Sequence, residues 1–120
     1  MTRYVTVADV EQTISRLGFH VRDAGLLASA LARPATTFAG AEVYPDLATK
    51  AAALLESLSR NHALFDGNKR LSWVVTQLFL RLNGRRHTFT VDEAFDLVVG
   101  VAQGFIPLEE AATSIAGHLA

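Results

Sequence analysis

The sequence predicts an all-α fold, about six helices around a central buried helix, with one extended loop left unassigned. Apolar residues recur at a helical period of about 3.6 along nearly the whole chain, with little strand-like alternation. Two capping boxes, Thr6 with Asp9 and Thr90 with Glu93, mark helix starts. Gly18, Pro34, Gly84 and Pro107 punctuate the periodic segments where helices should end or begin. No repeat, low-complexity tract or linker divides the 120 residues, so one domain is expected over 1–120.

The first helix follows Thr6, carries Val7, Val10, Ile14 and Leu17 on one face, and ends near Gly18. Asp23 caps a second, through Leu26, Leu27, Ala30 and Leu31, stopped before Pro34 because the residue preceding proline avoids the helical region. Residues 34–45, PATTFAGAEVYP, form a long loop rich in residues that favour extended backbone. A third helix runs from Asp46 to about Asn61, with Leu47, Ala51, Leu54, Leu55 and Leu58 inward and Lys50 outward. The fourth runs from about Asn68 to Leu82. Its apolar residues cover most of its circumference, which predicts that it is the central helix. An extended piece at 85–89 leads to a fifth helix containing Phe95, Val98, Val101 and Ala102. Phe105 and Ile106 are expected to anchor the connection in the core before Pro107 opens the sixth.

Composition narrows the function classes. There are no cysteines, so disulfides and thiolate metal sites are excluded. No apolar run approaches the roughly 18–20 residues a membrane span needs, and no signal peptide is evident, which predicts a soluble cytoplasmic protein without membrane contact. A formal net charge of −1 argues against direct nucleic-acid binding. The charge is unevenly spread. Residues 60–86 hold six cations against one acid, whereas residues 91–120 hold five acids and no Lys or Arg. An anionic ligand would find its attraction in the first of these segments.

That segment contains HALFDGNKR, residues 62–70, at the mouth of the fourth helix. A helix start presents unpaired N–H groups and the positive end of the macrodipole, and a glycine turn lets phosphate oxygens approach them. Lys69 and Arg70 add full charge beside those amides. His62 is a possible proton acceptor at cellular pH and Asp66 a hard oxygen ligand for magnesium. Taken singly, each residue has a plainer reading: Asp66 or Asn68 as a helix cap, His62 as a helix-end histidine, Lys69 and Arg70 as solvated surface. The joint spacing is what points to phosphoryl or nucleotidyl transfer. Arg60 reads equally as a phosphate contact or a surface arginine, and His20, His87 and His118 receive no role.

The string resembles the Fic/Doc family signature, H-x-F-x-[DE]-[GA]-N-[GK]-R, and its lysine is similar to the Doc branch. DAGLLASALARP, TTFAGAEVYP, AAALLESLSRNH and FLRLNG are similar to Doc-type sequences in the same order, so the resemblance spans roughly residues 20–85. It implies the helical Fic fold with residues 34–45 as a flap. It implies ATP and Mg²⁺ as cofactors, His62 as general base toward a protein hydroxyl, Asp66 as the metal ligand, and Gly67, Asn68 and Lys69 as the anion hole. The Asn68 side chain would orient phosphates, and Lys69 and Arg70 would neutralise their charge.

The chain departs from that signature at two places. Leu64 stands where phenylalanine is usual, followed by Phe65 with no assignable role, and Trp73 stands where the extended Fic signature has a second arginine. Within the resemblance, members with glycine and two arginines transfer AMP, whereas Doc members transfer the γ-phosphoryl group. The expected activity is therefore kinase-like, onto a threonine of a target such as elongation factor Tu. AMP transfer and nucleotide binding without turnover are the alternatives. The flap, Thr36 to Tyr44, is expected to dock the target as an added strand, with Tyr44 reading equally as a hinge anchor. No Glu has Ser or Thr four residues before it, so the self-inhibitory pattern [ST]-x-x-x-E-[GN] is absent. The resemblance implies inhibition by a Phd-like antitoxin.

Overall fold

The computed structural model describes all 120 residues. Six α-helices follow in order: α1 (Val7–Leu17), α2 (Ala24–Ala32), α3 (Leu47–Arg60), α4 (Asn68–Leu82), α5 (Val91–Gln103) and α6 (Leu108–Gly117). The caps read from the sequence form as expected. Thr6 and Asp9, like Thr90 and Glu93, exchange hydrogen bonds between side chain and backbone, and Asp23 accepts from Leu26; Asp46, read only as the start of the third helix, also caps it by accepting from Thr49.

The centre of the bundle is α3 rather than α4. Helices α2, α4, α5 and α6 and the short 3₁₀ turn Arg33–Ala35 all pack on it. Ala51, Ala52 and Ala53 are fully buried in its middle, and their small side chains let neighbouring elements approach from several sides. Leu54, Leu55 and Leu58 fill the remaining space. On α4, Leu71, Val75, Phe79 and Leu80 face the core, but Trp73, Val74 and Leu78 stay half-buried. An apolar circumference therefore overstated how enclosed α4 is, because part of its flank borders a cavity instead of another helix.

Residues 34–45 are more ordered than an irregular loop. After the 3₁₀ turn, β1 (Thr37–Phe38) pairs antiparallel with β2 (Ala41–Glu42). The two turn residues, Ala39 and Gly40, both have positive φ, 52° and 81°, as a type I′ hairpin requires. The hairpin is fastened at its base. Arg33 donates to the Tyr44 hydroxyl and to Glu56, and its guanidinium lies 5.4 Å from the Tyr44 ring centre.

Lys50, expected on the outer face of α3, is 1% exposed. Its ammonium donates to Glu42 Oε1 at 2.9 Å and to the Tyr44 carbonyl. The hairpin folds back across the start of α3 and turns an outward position into an interior one. A lysine tolerates this because Glu42 neutralises its charge and the Tyr44 carbonyl accepts a second hydrogen bond. Phe105 also departs from expectation. It is 78% exposed, and only Ile106 turns inward, into space left by the missing side chain of Gly100.

The ends of α5 and α6 meet in a stacked cluster. The His118 ring lies on Phe89 with centroids 4.0 Å apart, and Trp73 meets His87 and Phe89 edge-on. The Ser114 carbonyl, and then Glu93, stabilise the charged imidazole and hold the His118 pKa above its ordinary 6.5. A raised folded-state pKa contributes stability that is complete below 6.5 and is lost as pH rises through the raised value. The thermal midpoint should therefore drop across that window, and His118→Gln should abolish the drop. Leu54→Ala, at a 1% exposed site, should cost about 2–5 kcal/mol in denaturant unfolding.

Candidate functional site

The site begins where α3 stops. Asn61 caps α3 with its N–H on the Ser57 carbonyl, and His62 then takes a positive φ of 55°. This turns the chain sharply, so that Ala63 and Leu64 sink into the core, each 1% exposed. Leu64, which stands where the signature has phenylalanine, is buried in the core. Its main chain is latched at both ends of the Asn68 side chain: the Leu64 N–H donates to Asn68 Oδ1, and Asn68 Nδ2 donates to the Leu64 carbonyl. The amide group of Asn68 is thus occupied in holding the loop. Its Nδ2 carries a second N–H that makes no bond in the protein, which is what remains for the phosphate orientation the resemblance implied.

The connection between α1 and α2 braces the same loop. Val21 and Leu64 form an antiparallel bridge, Phe65 donates to the His20 carbonyl, and the N–H groups of Arg22 and Asp23 both donate to the Ala63 carbonyl. Arg22 adds a side-chain bond, its Nε donating to the His62 carbonyl at 2.8 Å. Phe19 lies directly against Gly67. A Cβ placed on Gly67 would be 2.5 Å from Phe19 Cε1, and Gly67 also has φ 86°. Both facts require glycine there. Neither Phe19 nor Arg22 carries any spacing signal that would associate it with residues more than 40 positions downstream.

Gly67 begins α4 without any side-chain cap. The N–H groups of Asn68, Lys69 and Arg70 consequently have no partner in the protein, which leaves an anion-binding helix terminus open. Asp66 accepts from the Gly67 N–H through Oδ1, so that amide, which the resemblance placed in the anion hole, is already bonded and the Arg70 amide is open in its stead; the exposed carboxylate makes no ion pair. Lys69 and Arg70 are likewise exposed and unpaired. The His62 imidazole is exposed and makes no hydrogen bond. All six motif residues, His62, Asp66, Gly67, Asn68, Lys69 and Arg70, line one cavity of about 1050 Å³.

Half of the cavity's lining residues are apolar. Trp73 from α4 and Val91, Phe95 and Val98 from α5 are among them, with Phe65 at 72% exposure at the motif. A second cavity of about 620 Å³ lies between α2 and the end of α3, and contains none of the motif residues. Arg60 belongs there. Its Nε donates to the Val101 carbonyl and its guanidinium pairs with Glu56, so it is not the phosphate contact that one reading of the sequence allowed. No group of three or more His, Asp or Glu side chains is assembled anywhere that could cage a metal ion.

The Fic/DOC family model matches residues 4–80, which include the hairpin, α3, the loop and most of α4. The chain belongs to the Fic/Doc family. It is similar along its full length to a protein of Mycolicibacterium smegmatis (strain ATCC 700084 / mc(2)155) named Toxin Doc. The two are 46% identical over 126 residues, covering 100% of this chain and 96% of that relative. In this Fic/Doc domain no helix is long and apolar enough to cross a membrane.

Gly67→Ala should show how tightly this loop is built. The overlap with Phe19 and the positive φ together predict a loss of about 1–3 kcal/mol, measurable by denaturant unfolding. The double variant Phe19→Ala, Gly67→Ala should not recover the backbone part of that loss.

Proposed function

We propose that the protein is a Doc-like toxin that transfers the γ-phosphoryl group of ATP to a hydroxyl of a target protein. A threonine of elongation factor Tu is the first acceptor to test. The observation that carries this reading is the uncapped start of α4, whose three free amides and two unpaired cations share a cavity with His62. The relative named Toxin Doc supports the toxin assignment.

Each residue then has a definite task. His62, with an imidazole free of other partners, accepts the proton of the attacking hydroxyl. The hydroxyl oxygen forms a bond to the γ-phosphorus as the bond from that phosphorus to the β–γ bridging oxygen breaks, and ADP leaves. The amides of Asn68, Lys69 and Arg70 and the two cationic side chains stabilise charge on the transferring group. A lone carboxylate suits magnesium, which prefers one or two protein oxygens with phosphate and water completing its shell, so Asp66 would hold the ion beside the phosphates. The apolar Trp73 side chain, where AMP-transferring members of the resemblance carry arginine, favours phosphoryl transfer over AMP transfer.

Inhibition would come from outside the domain, since the self-inhibitory pattern is absent from the sequence. A Phd-like antitoxin is the proposed source, and growth arrest on expression without it is the expected phenotype.

Incubation with Mg-ATP and elongation factor Tu should raise the mass of the target by one phosphoryl group. A gain of one AMP would overturn the kinase assignment in favour of AMP transfer. His62→Ala should abolish both the mass change and growth arrest while ATP still binds in calorimetry. Unchanged toxicity in that variant would remove catalysis through the motif.

A further inference from the structure

His62 occupies the left-handed region of the backbone, φ 55°, which a residue with a Cβ enters at a steric cost. Such a conformation persists only where the surroundings over-determine it. The imidazole itself makes no hydrogen bond, so its placement rests on the backbone, which sets the Cα–Cβ direction from which the side-chain torsions start. Whatever holds the peptide planes on either side of Ala63 therefore decides where the imidazole is presented.

One residue holds both. The Arg22 Nε donates to the His62 carbonyl at 2.8 Å, and the Arg22 backbone N–H donates to the Ala63 carbonyl at 2.8 Å. The first is a charge-assisted bond to the peptide unit immediately following His62. The guanidinium has no ion-pair partner and no other hydrogen bond in the protein, so its position is not a by-product of a salt bridge. We propose that Arg22 is a positioning residue: by gripping the His62 carbonyl, it keeps the backbone left-handed and the imidazole aimed into the cavity beside the α4 terminus. This rests on the reading of His62 as the general base. The planar guanidinium is rigid enough to present Nε–H at a fixed angle, whereas a lysine ammonium at this position would be a mobile point charge.

The test pairs a structural readout with a kinetic one. In isotope-labelled protein, Arg22→Ala should shift the φ-sensitive carbon resonances of His62 away from left-handed values. In single-turnover transfer to the target it should slow the step by about 10- to 100-fold, while ATP affinity changes by less than about twofold. Arg22→Lys should restore part of the rate. The proposal is overturned if the His62 resonances stay in place, if they move without any loss of rate, or if rate, ATP affinity and thermal midpoint fall together as general damage would make them. His62→Ala retaining the wild-type rate would sink the general-base reading instead, and the resonance measurement would still show whether Arg22 holds the backbone.

Discussion

The antiparallel pairing between the α1–α2 connection and the loop after α3 is the constraint on which the site depends. Residues 20–23 supply a short edge onto which residues 62–65 hydrogen-bond, as two lengths of chain that belong to no common sheet. Without it the loop would have to satisfy its buried main chain some other way, because Ala63 and Leu64 lie in the core. With it, His62, Asp66 and the start of α4 are held in one arrangement. The Asn68 side chain closes the same loop from the opposite end. A loop this thoroughly bonded behaves as part of the scaffold, which preorganisation at a reacting centre requires.

The energetic support for that scaffold comes from α3. Its central alanines allow four helices to approach, and its C-terminus delivers the chain directly into the loop. Burial on α3 and the position of His62 are consequently linked, since His62 directly follows the Asn61 C-cap. The hairpin is tied to this helix as well, through the buried Lys50 and through Arg33 with Glu56. The hairpin and the loop that carries His62 are therefore both anchored on α3. Of the two cavities, one is lined by the ion-paired Arg33, Glu56 and Arg60, and the other by the cationic start of α4 together with apolar residues of α4 and α5.

Local patterns were legible where the physics is local. A capping box needs only residues three apart, so Thr6–Asp9 and Thr90–Glu93 announced their helices, and the residues around Gly67 announced where α4 starts. Lys50 was not legible, since its partner Glu42 comes from a hairpin whose fold-back no periodicity records. Nor was the exchange of roles between α3 and α4. Apolar content measures how much surface could be buried, and small alanines, which score weakly, mark where neighbours actually crowd.

The sequence by itself determined the helices, their ends, the family resemblance and the identity of the motif residues, because each is written within a few consecutive positions. Tertiary structure alone decided which helix is central, that Asn68 latches the loop, that Arg60 is turned to another cavity, and that Phe19 and Arg22 brace the motif from a distance. Those outcomes depend on contacts between segments far apart in the chain, and the strength of such contacts is set by geometry that no local spacing encodes.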